Sequence, residues 1–324
     1  MQSSKHIPTK VKASGFVTQE IKMISLVSAD GQPLPDYTPG SHIDVDIGKG
    51  KTRSYSLMSM PMPKQIGAVD DNVYTLGVLL EAESTGGSKF MHGLKIGDEI
   101  SISSPKNDFA LHPDAQFSLL LAGGIGITPI MAMVAHLQNT GTGFALHYAG
   151  RTCTSLAFVE ALQTYIGFNL HIHYDDEENA LDIEAVLNTV PNHAHIYVCG
   201  PKGMIEAVQK QALACGYPKE QIHFELFATP SPQAGDTEFE IELSSSGKIY
   251  TVPVGKTIIE VLEAAGEDPI YDCSRGDCGI CQTGVISGEI DHRDVVLSEA
   301  EKAAGDVMQI CVSRARGAKI VLDL

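Results

Sequence analysis

Four cysteines crowd the last quarter of the chain, in the run Cys273-Ser-Arg-Gly-Asp-Cys278-Gly-Ile-Cys281 with Cys311 further on. The spacing is C-x4-C-x2-C followed by one distant cysteine, the pattern of plant-type [2Fe–2S] clusters. Two sulfide-bridged irons need four thiolates, supplied here by one tight loop and one remote anchor. Gly276 and Gly279 let the backbone curl and turn its N–H groups toward the sulfurs. Zinc is the rival metal, but its sites usually take two C-x2-C pairs. Cys153, Cys199 and Cys215 show no such spacing, and Cys153 and Cys215 read as small fillers of core or surface.

A second chemical signal is LLLAGGIGITP, residues 119–129: an apolar strand, a glycine turn and a helix start. Gly123, Gly124 and Gly126 permit close backbone approach. Thr128 is expected to cap the helix and Pro129 to take its first position. A helix N-terminus there favours a pyrophosphate. The run is not G-x-G-x-x-G, and alone it equally describes a tight strand–helix turn with no ligand.

Cys199-Gly200-Pro201 ends a later strand-like run. Ligands of doubly wound sheets gather at the carboxyl ends of strands. Cys199 is therefore expected at a cofactor cleft, its thiol against a nicotinamide; the alternative is a small buried residue. Asp175 follows the run HIHY, where a carboxylate can bind ribose hydroxyls and repel a 2′-phosphate. It also opens the acidic surface run Asp175-Asp176-Glu177-Glu178.

The third signal is Arg53-Ser54-Tyr55-Ser56-Leu57. Strand alternation puts Arg53, Tyr55 and Leu57 on one face and the serines on the other. Tyr55 can pack on an isoalloxazine ring, and Arg53 can hold a phosphate or ring oxygens. Ser84-Thr85-Gly86-Gly87-Ser88 is a hydroxyl- and glycine-rich stretch of the kind that cradles phosphate.

These residues need a frame. Up to residue 107, short alternating runs (HIDVDI, RSYSLM, VYTLGVLL, EISISS) separated by Gly, Pro and Asp turns predict an antiparallel barrel. From 108 to 228, strand and helix patterns alternate: FSLLLA, a helix from Ile130, FALHYA, a helix near Ser155–Tyr165, NLHIHY, a helix opened by Asp182, HIYVCG, and a helix from Pro201 to Cys215. That alternation predicts a parallel sheet covered on both faces. ATPSPQAGDT looks like a linker. FEIELSSSGKIYTVPV then predicts a hairpin with Ser246-Gly247 at its turn, followed by a helix near Thr257–Ala265.

The 324 residues suit two or three domains, and 43% hydrophobic residues suffice for real cores. A net charge of −17 argues against nucleic-acid or anionic-membrane partners. The N-terminus has no apolar core for a signal peptide, and the longest apolar stretch is broken by Gly and Pro, so a cytoplasmic protein is expected.

In their order along the chain, RSYSL, GGIGITP, CGP and the cysteine loop resemble the phthalate dioxygenase reductase family. The likeness spans essentially the whole chain, including DHRDVVLSEAEK and CVSRARGAKIVLDL. It implies an FMN-binding antiparallel β-barrel over 1–107, a doubly wound α/β NADH-binding domain over 108–228, a linker over 229–237 and a plant-type ferredoxin (β-grasp) domain over 238–324.

The resemblance also implies FMN, with Arg53, Tyr55 and Ser56 at the flavin and Ser84, Thr85, Gly86, Gly87 and Ser88 at its phosphate. Phe227, in HFELFA, matches the aromatic beside the flavin; read alone it is a core residue after a strand. NADH is implied by Asp175, with Arg151 at its phosphates. The partner implied is a terminal Rieske non-haem iron oxygenase, and the alternative acceptor is a haem monooxygenase. Plant-type clusters near about −400 mV and Rieske centres from about −150 mV leave about 250 mV, nearly 6 kcal/mol for one electron. No side-chain acid or base is demanded, and the twelve histidines, His42 among them, read as structural or surface residues.

Overall fold

The computed structural model describes residues 6–48, 50–59, 72–82, 84, 86–227 and 232–324. They form two compact units, Met1–Glu225 and Leu226–Leu324.

The first unit opens with β1 (Ile7–Phe16), β2 (Ile21–Ser28), β3 (His42–Asp46), β4 (Thr52–Ser56), β5 (Tyr74–Leu79), a short helix α1 (Gly87–Gly93) and β6 (Glu99–Ile102). The strands are ordered β4-β3-β6-β1-β2-β5 and pair antiparallel. A bridge between Met58 and Thr75 joins the outer strands and closes the barrel. Alternation sends Ile43 and Val45 of β3 inward, to meet Val11, Ile24, Leu26, Leu76 and Ile102. Each such burial stabilises by about 1.5–3 kcal/mol. Sequence patterning did not anticipate β1, β2 or α1. β1 intersperses Thr, Lys and Ser among its apolar residues, with a register shift between Val11 and Ala13.

The same unit continues with β7 (Phe117–Gly123), α2 (Ile127–Thr140), β8 (Gly143–Gly150), α3 (Val159–Ile166), β9 (Leu170–Tyr174), α4 (Ile183–Leu187), β10 (His195–Cys199), α5 (Lys202–Ala214) and β11 (Ile222–Glu225). The five strands are parallel in the order β11-β10-β7-β8-β9, so the winding reverses beside β7. Leu119–Ala122 and Ile196–Cys199 are wholly buried, as central parallel strands require. Asp182 caps α4 by accepting from the Ala185 N–H at 3.0 Å. α3 begins four residues later than expected. Cys153–Ser155 form a 3-10 turn, and Phe158 sits in left-handed backbone at φ 62°.

The second unit holds β12 (Phe239–Leu243), β13 (Ile249–Val252), α6 (Ile258–Ala264), β14 (Gln282–Ser287), β15 (Ile290–Asp291), α7 (Glu299–Ala304), β16 (Val307–Gln309), β17 (Arg314–Ala315) and β18 (Lys319–Leu322). Its main sheet runs β13-β12-β18-β14-β16, with β12 and β18 parallel, which is the β-grasp arrangement. The hairpin turns at Gly247, φ 67°, and Thr257 with Glu260 caps α6 reciprocally. Residues 228–231 of the expected linker lie outside the described residues. Within the rest of it, Asp236 accepts from Arg293 Nη2 at 2.5 Å and Nη1 at 3.2 Å. No described helix is long and apolar enough to cross a membrane.

Six histidines form two groups of three, five of them on the parallel sheet and His112 just before β7. His147 stacks on His171 at 4.5 Å and shares a hydrogen bond with His173 at 3.0 Å. His112 stacks on His195 at 4.4 Å, and His195 shares a hydrogen bond with His223 at 2.9 Å. Burial, then the neighbouring imidazoles, push His147 down to about 3 and His223 down to about 4. Burial lowers His173 and His195 as well.

The folded chain thus favours the neutral form of His147, His173, His195 and His223, whereas the unfolded chain protonates them below about pH 6.5. Their contribution is complete above that value and is lost as pH falls toward the folded-state pKa, by at most about 1.4 kcal/mol per pH unit for each group. Solvent screening reduces this for the half-exposed rings. Urea unfolding of this unit at pH 7.5, 6.5 and 5.5 should show falling stability below 6.5, and His147→Gln with His223→Gln should flatten the trend. An unchanged trend in that double variant would assign the acid sensitivity to other groups.

Candidate redox site

The cysteine loop runs from the end of α6 to β14. Ser274, Gly276 and Gly279 take left-handed backbone at φ 53°, 81° and 78°, which coils the loop. A β-carbon at Gly276 would lie 2.7 Å from Val312 Cγ2 and 3.2 Å from Asp294 Cα. Glycine therefore lets the loop settle against the turn that follows β16, where Cys311 lies.

The thiols meet pairwise: Cys273 with Cys278, Cys281 with Cys311, and Cys273 with Cys311. Contacts from Cys278 and Cys311 hold Cys273 far below the usual thiol range, and Cys278 and Cys311 are pushed up in return. No three described His, Cys, Asp or Glu side chains converge on a single-ion site. Four thiols linked in this chain of contacts fit two irons with two thiolates each.

The Arg275 N–H donates to Cys273 Sγ at 3.3 Å, a contact that would persist to a ligated sulfur. Cys281 and Cys311 are buried, while Cys273 and Cys278 are half-buried. Between them Asp277, whose carboxyl burial pushes up to about 7, accepts from the Leu226 N–H at 2.9 Å. Sequence reading did not single out Asp277, and its place within the cysteine run was the available signal.

In the first unit the glycine turn and the Cys199-Gly200-Pro201 run come together at the carboxyl ends of adjacent strands β7 and β10. A β-carbon at Gly126 would lie 2.1 Å from the Cys199 carbonyl oxygen; one at Gly123 would lie 2.7 Å from Pro201 and from Met204 Sδ. Gly124 adopts φ 53° in a 3-10 turn over Gly124–Gly126.

That turn starts α2 at Ile127, which corrects the expected cap. Gly126 is the N-cap residue, Thr128 lies inside the helix and donates to the Ile125 carbonyl at 3.0 Å, and Pro129 occupies the third helical position. The methyl of Thr128 instead meets Gly77 of β5, where a β-carbon would be 2.8 Å away. Cys199 is wholly buried and in register with Ala122 and Glu225. Glu225, a carboxylate only 2% exposed at that edge, carried no motif to reveal it. Arg151 and Asp175 are exposed just beyond the ends of β8 and β9, and the Asp175 N–H donates to the Gly150 carbonyl at 3.0 Å.

On the barrel, Arg53 and Tyr55 of β4 reach the start of α1. A β-carbon at Gly87 would lie 2.7 Å from Arg53 Cγ and 3.2 Å from the Tyr55 hydroxyl. Ser88 donates to Ser84 at 2.8 Å and accepts from the Glu81 N–H at 3.2 Å. Gly86 turns the chain at φ 114°. Thr85 lies outside the described residues. Ser56 is buried and its hydroxyl has no hydrogen-bond partner among the described residues, a deficit that a bound polar group would satisfy. Burial raises the Tyr55 hydroxyl. In the second unit, Phe227 is half-buried.

Comparison with known proteins agrees with this geometry. The 2Fe-2S iron-sulfur cluster binding domain matches residues 241–316, and the N-terminal domain of the dimethylamine monooxygenase subunit DmmA-like family matches residues 100–222. The chain is 39% identical over 316 residues to the carnitine monooxygenase reductase subunit of Escherichia coli (strain K12), covering 95% of each chain. It is 40% identical over 319 residues to the vanillate O-demethylase oxidoreductase of Pseudomonas sp. (strain HR199 / DSM 7063), covering 97% of this chain and 98% of that protein. Among solved structures it matches phthalate dioxygenase reductase, described as a modular structure for electron transfer from pyridine nucleotides to [2Fe–2S]. That likeness has a TM-score of 0.76 and 32% identity, over 100% of this chain and 99% of the other. With a closed barrel, a doubly wound sheet and a cysteine-bearing β-grasp unit in that order, the chain belongs to the phthalate dioxygenase reductase family of flavin- and [2Fe–2S]-dependent oxidoreductases.

Proposed function

We propose that this chain is the reductase component of a two-component Rieske-type oxygenase or demethylase, fed by NADH and carrying FMN. The observation that carries the reading is the pairwise meeting of four thiols in a chain that also brings GGIG onto Cys199-Gly200-Pro201. When bound, FMN accepts the two electrons of a hydride and the cluster passes them on singly.

The barrel, 1–107, holds FMN. Tyr55 offers its ring, Arg53 its guanidinium, Ser56 its free hydroxyl, and Ser84–Ser88 the phosphate cradle, with Phe227 beside the ring system. The parallel sheet, 108–228, holds NADH: Gly123, Gly124 and Gly126 admit the pyrophosphate to backbone, and Thr128 and Pro129 continue the wall. Arg151 faces the phosphates, Asp175 takes the ribose hydroxyls, and Cys199, Gly200 and Pro201 floor the nicotinamide pocket. The β-grasp domain, 238–324, holds the cluster on Cys273, Cys278, Cys281 and Cys311, and residues 229–237 join it to the rest. The chain binds, orients and keeps water from the cofactors; no side chain transfers a proton.

Flavin released from the purified, red-brown protein should run as FMN, with two irons per chain; release of FAD would overturn the FMN assignment.

NADH should be preferred over NADPH, because the Asp175 carboxylate repels a 2′-phosphate. Asp175→Ala should narrow the ratio of the two kcat/KM values. A ratio equal to that of the wild type would make Asp175 a surface acid.

Cys278→Ser tests the reading as a whole. Serine is a poor thiolate substitute, since a hydroxyl is far harder to deprotonate than a thiol. The cluster should be lost or labile, while FMN and NADH binding persist. NADH oxidation by a small two-electron acceptor should stay near the wild-type rate, and reduction of cytochrome c or of a Rieske oxygenase should collapse. Oxygenase turnover at the wild-type level would show that electrons do not leave through the cluster. A haem monooxygenase that is reduced where Rieske oxygenases are not would favour the alternative acceptor.

A further inference from the structure

Asp277 sits inside the cysteine loop, between Gly276 and the ligand Cys278, yet its side chain is only 4% exposed. Its Oδ2 accepts from the Leu226 N–H at 2.9 Å and from Arg275 Nε at 3.3 Å. Leu226, itself 3% exposed, follows β11 directly and precedes Phe227; both belong to the same compact unit as the cysteines. One carboxylate therefore joins two stretches 51 residues apart in sequence. The joint is strong for its size. The acceptor is a carboxylate flanked by Arg275, the site is shielded from water, and breaking the bond strands a buried amide.

Most of the loop's other anchors are internal to the fold of the β-grasp unit. The Val295 N–H donates to the Gly276 carbonyl at 3.1 Å, and Gly276 itself lies against Asp294 and Val312. Those contacts hold the loop on its own sheet. The Asp277 bond does something different, because it fastens the loop to the strap that carries Phe227.

We propose that Asp277 is a positioning residue for the one-electron step from flavin to cluster: its carboxylate, bonded to the Leu226 N–H, fixes the cluster loop to the strap that carries Phe227. The inference rests on the reading that the flavin lies beside Phe227. One electron leaves the reduced flavin and one enters the cluster. No bond of Asp277 forms or breaks, and no proton passes through it. Its contribution is geometric, since transfer between two cofactors held on separate elements depends on how firmly those elements are held together.

The test uses the full-length holoprotein. Cluster reduction after anaerobic mixing with NADH is followed by stopped-flow absorbance, and amide hydrogen exchange is measured in the segment containing Leu226. Asp277→Ala should keep its iron and the wild-type rate of flavin reduction by NADH. Its cluster should be reduced about tenfold or more slowly, and the Leu226 amide should exchange about tenfold or more faster, the expected effect of losing a hydrogen bond to a charged acceptor. Asp277→Asn keeps an oxygen for that amide and should restore both readouts to near wild type.

Should Asp277→Ala lose iron, Asp277→Glu replaces it. The longer side chain displaces the acceptor and should also slow cluster reduction. Cluster reduction within about twofold of wild type in the Ala or Glu variant overturns the proposal. So does an Asn variant as slow as Ala with the Leu226 amide still protected, which would make the charge, not the tether, responsible. If wild-type flavin is reduced by NADH while its cluster stays oxidised, the parent reading fails instead, and the variants have no bearing on it.

Discussion

Backbone lies directly on backbone at several points in this chain, and each approach exists because one residue lacks a β-carbon. A methyl at Gly126 would sit 2.1 Å from the Cys199 carbonyl oxygen, and one at Gly40 would sit 2.0 Å from that of Phe109. A methyl at Gly276 would press on Asp294 and Val312. None of these collisions can be relieved by rotating a flexible side chain, because the atoms struck are backbone or tightly packed. The Gly40 approach seats the barrel on the segment that leads into the parallel sheet. The Gly126 approach brings the turn after β7 onto the end of β10, which fixes where Thr128 and Cys199 stand. The Gly276 approach lets four thiols from two distant stretches meet. The chemistry of each site thus depends on a steric permission granted elsewhere in the backbone.

The chemical residues were more legible in the sequence than the frame that holds them. Cysteine spacing survives as a signal because a cluster demands a fixed ligand set, whatever surrounds it. The glycine turn was legible for a related reason, but its helix was misplaced: the 3-10 turn over Gly124–Gly126 begins the coil early, so Thr128 enters the helix and its methyl meets Gly77. Strands β1 and β2 were not legible. Along β1 burial alternates from Ile7 to Lys12 but on a Thr and Lys background, and after the register shift between Val11 and Ala13 the alternation is lost. Helix α1 begins at Gly87, with no residue type that announces a helix, and is set by Gly86 in left-handed backbone. The histidines look scattered in sequence because their assembly depends on strand register, which the one-dimensional pattern does not contain. His147 and His171 are register partners on neighbouring parallel strands.

Near the end of the stretch expected as a linker, one carboxylate is held electrostatically. Pro, Gly and small polar residues over 229–237 suggest free chain, but Asp236 is clamped by Arg293, whose hydrogen bonds hold its carboxyl at about 2. Arg293 also pairs with Asp291, and Arg314 reaches the carbonyls of Thr237, Pro253 and Lys256. Two guanidiniums thereby close the base of the sheet around the incoming strand. Composition reports the tendency of a segment in isolation; a buried ion network made by residues far along the chain overrides it.

The same pairing divides the acidic residues of this region into two kinds. From 236 to 324 the sequence carries 17 Asp and Glu against 8 Lys and Arg, a difference of −9. Asp236 and Asp277 are turned inward and matched by Arg293 and Arg275. Their fields are largely cancelled within a few ångströms. Glu263, Asp268 and Asp272 are exposed, and no Lys or Arg occurs between Lys256 and Arg275. The stretch that leads in sequence to Cys273, one of the half-buried thiols, therefore carries acids and no Lys or Arg. Beyond a Debye length of about 8–10 Å such charges are screened, so their influence belongs to close encounter and weakens with added salt. A basic surface is drawn to that edge and an acidic one is repelled. Asp277, turned inward, holds the loop in shape, and the exposed acids set the field around it.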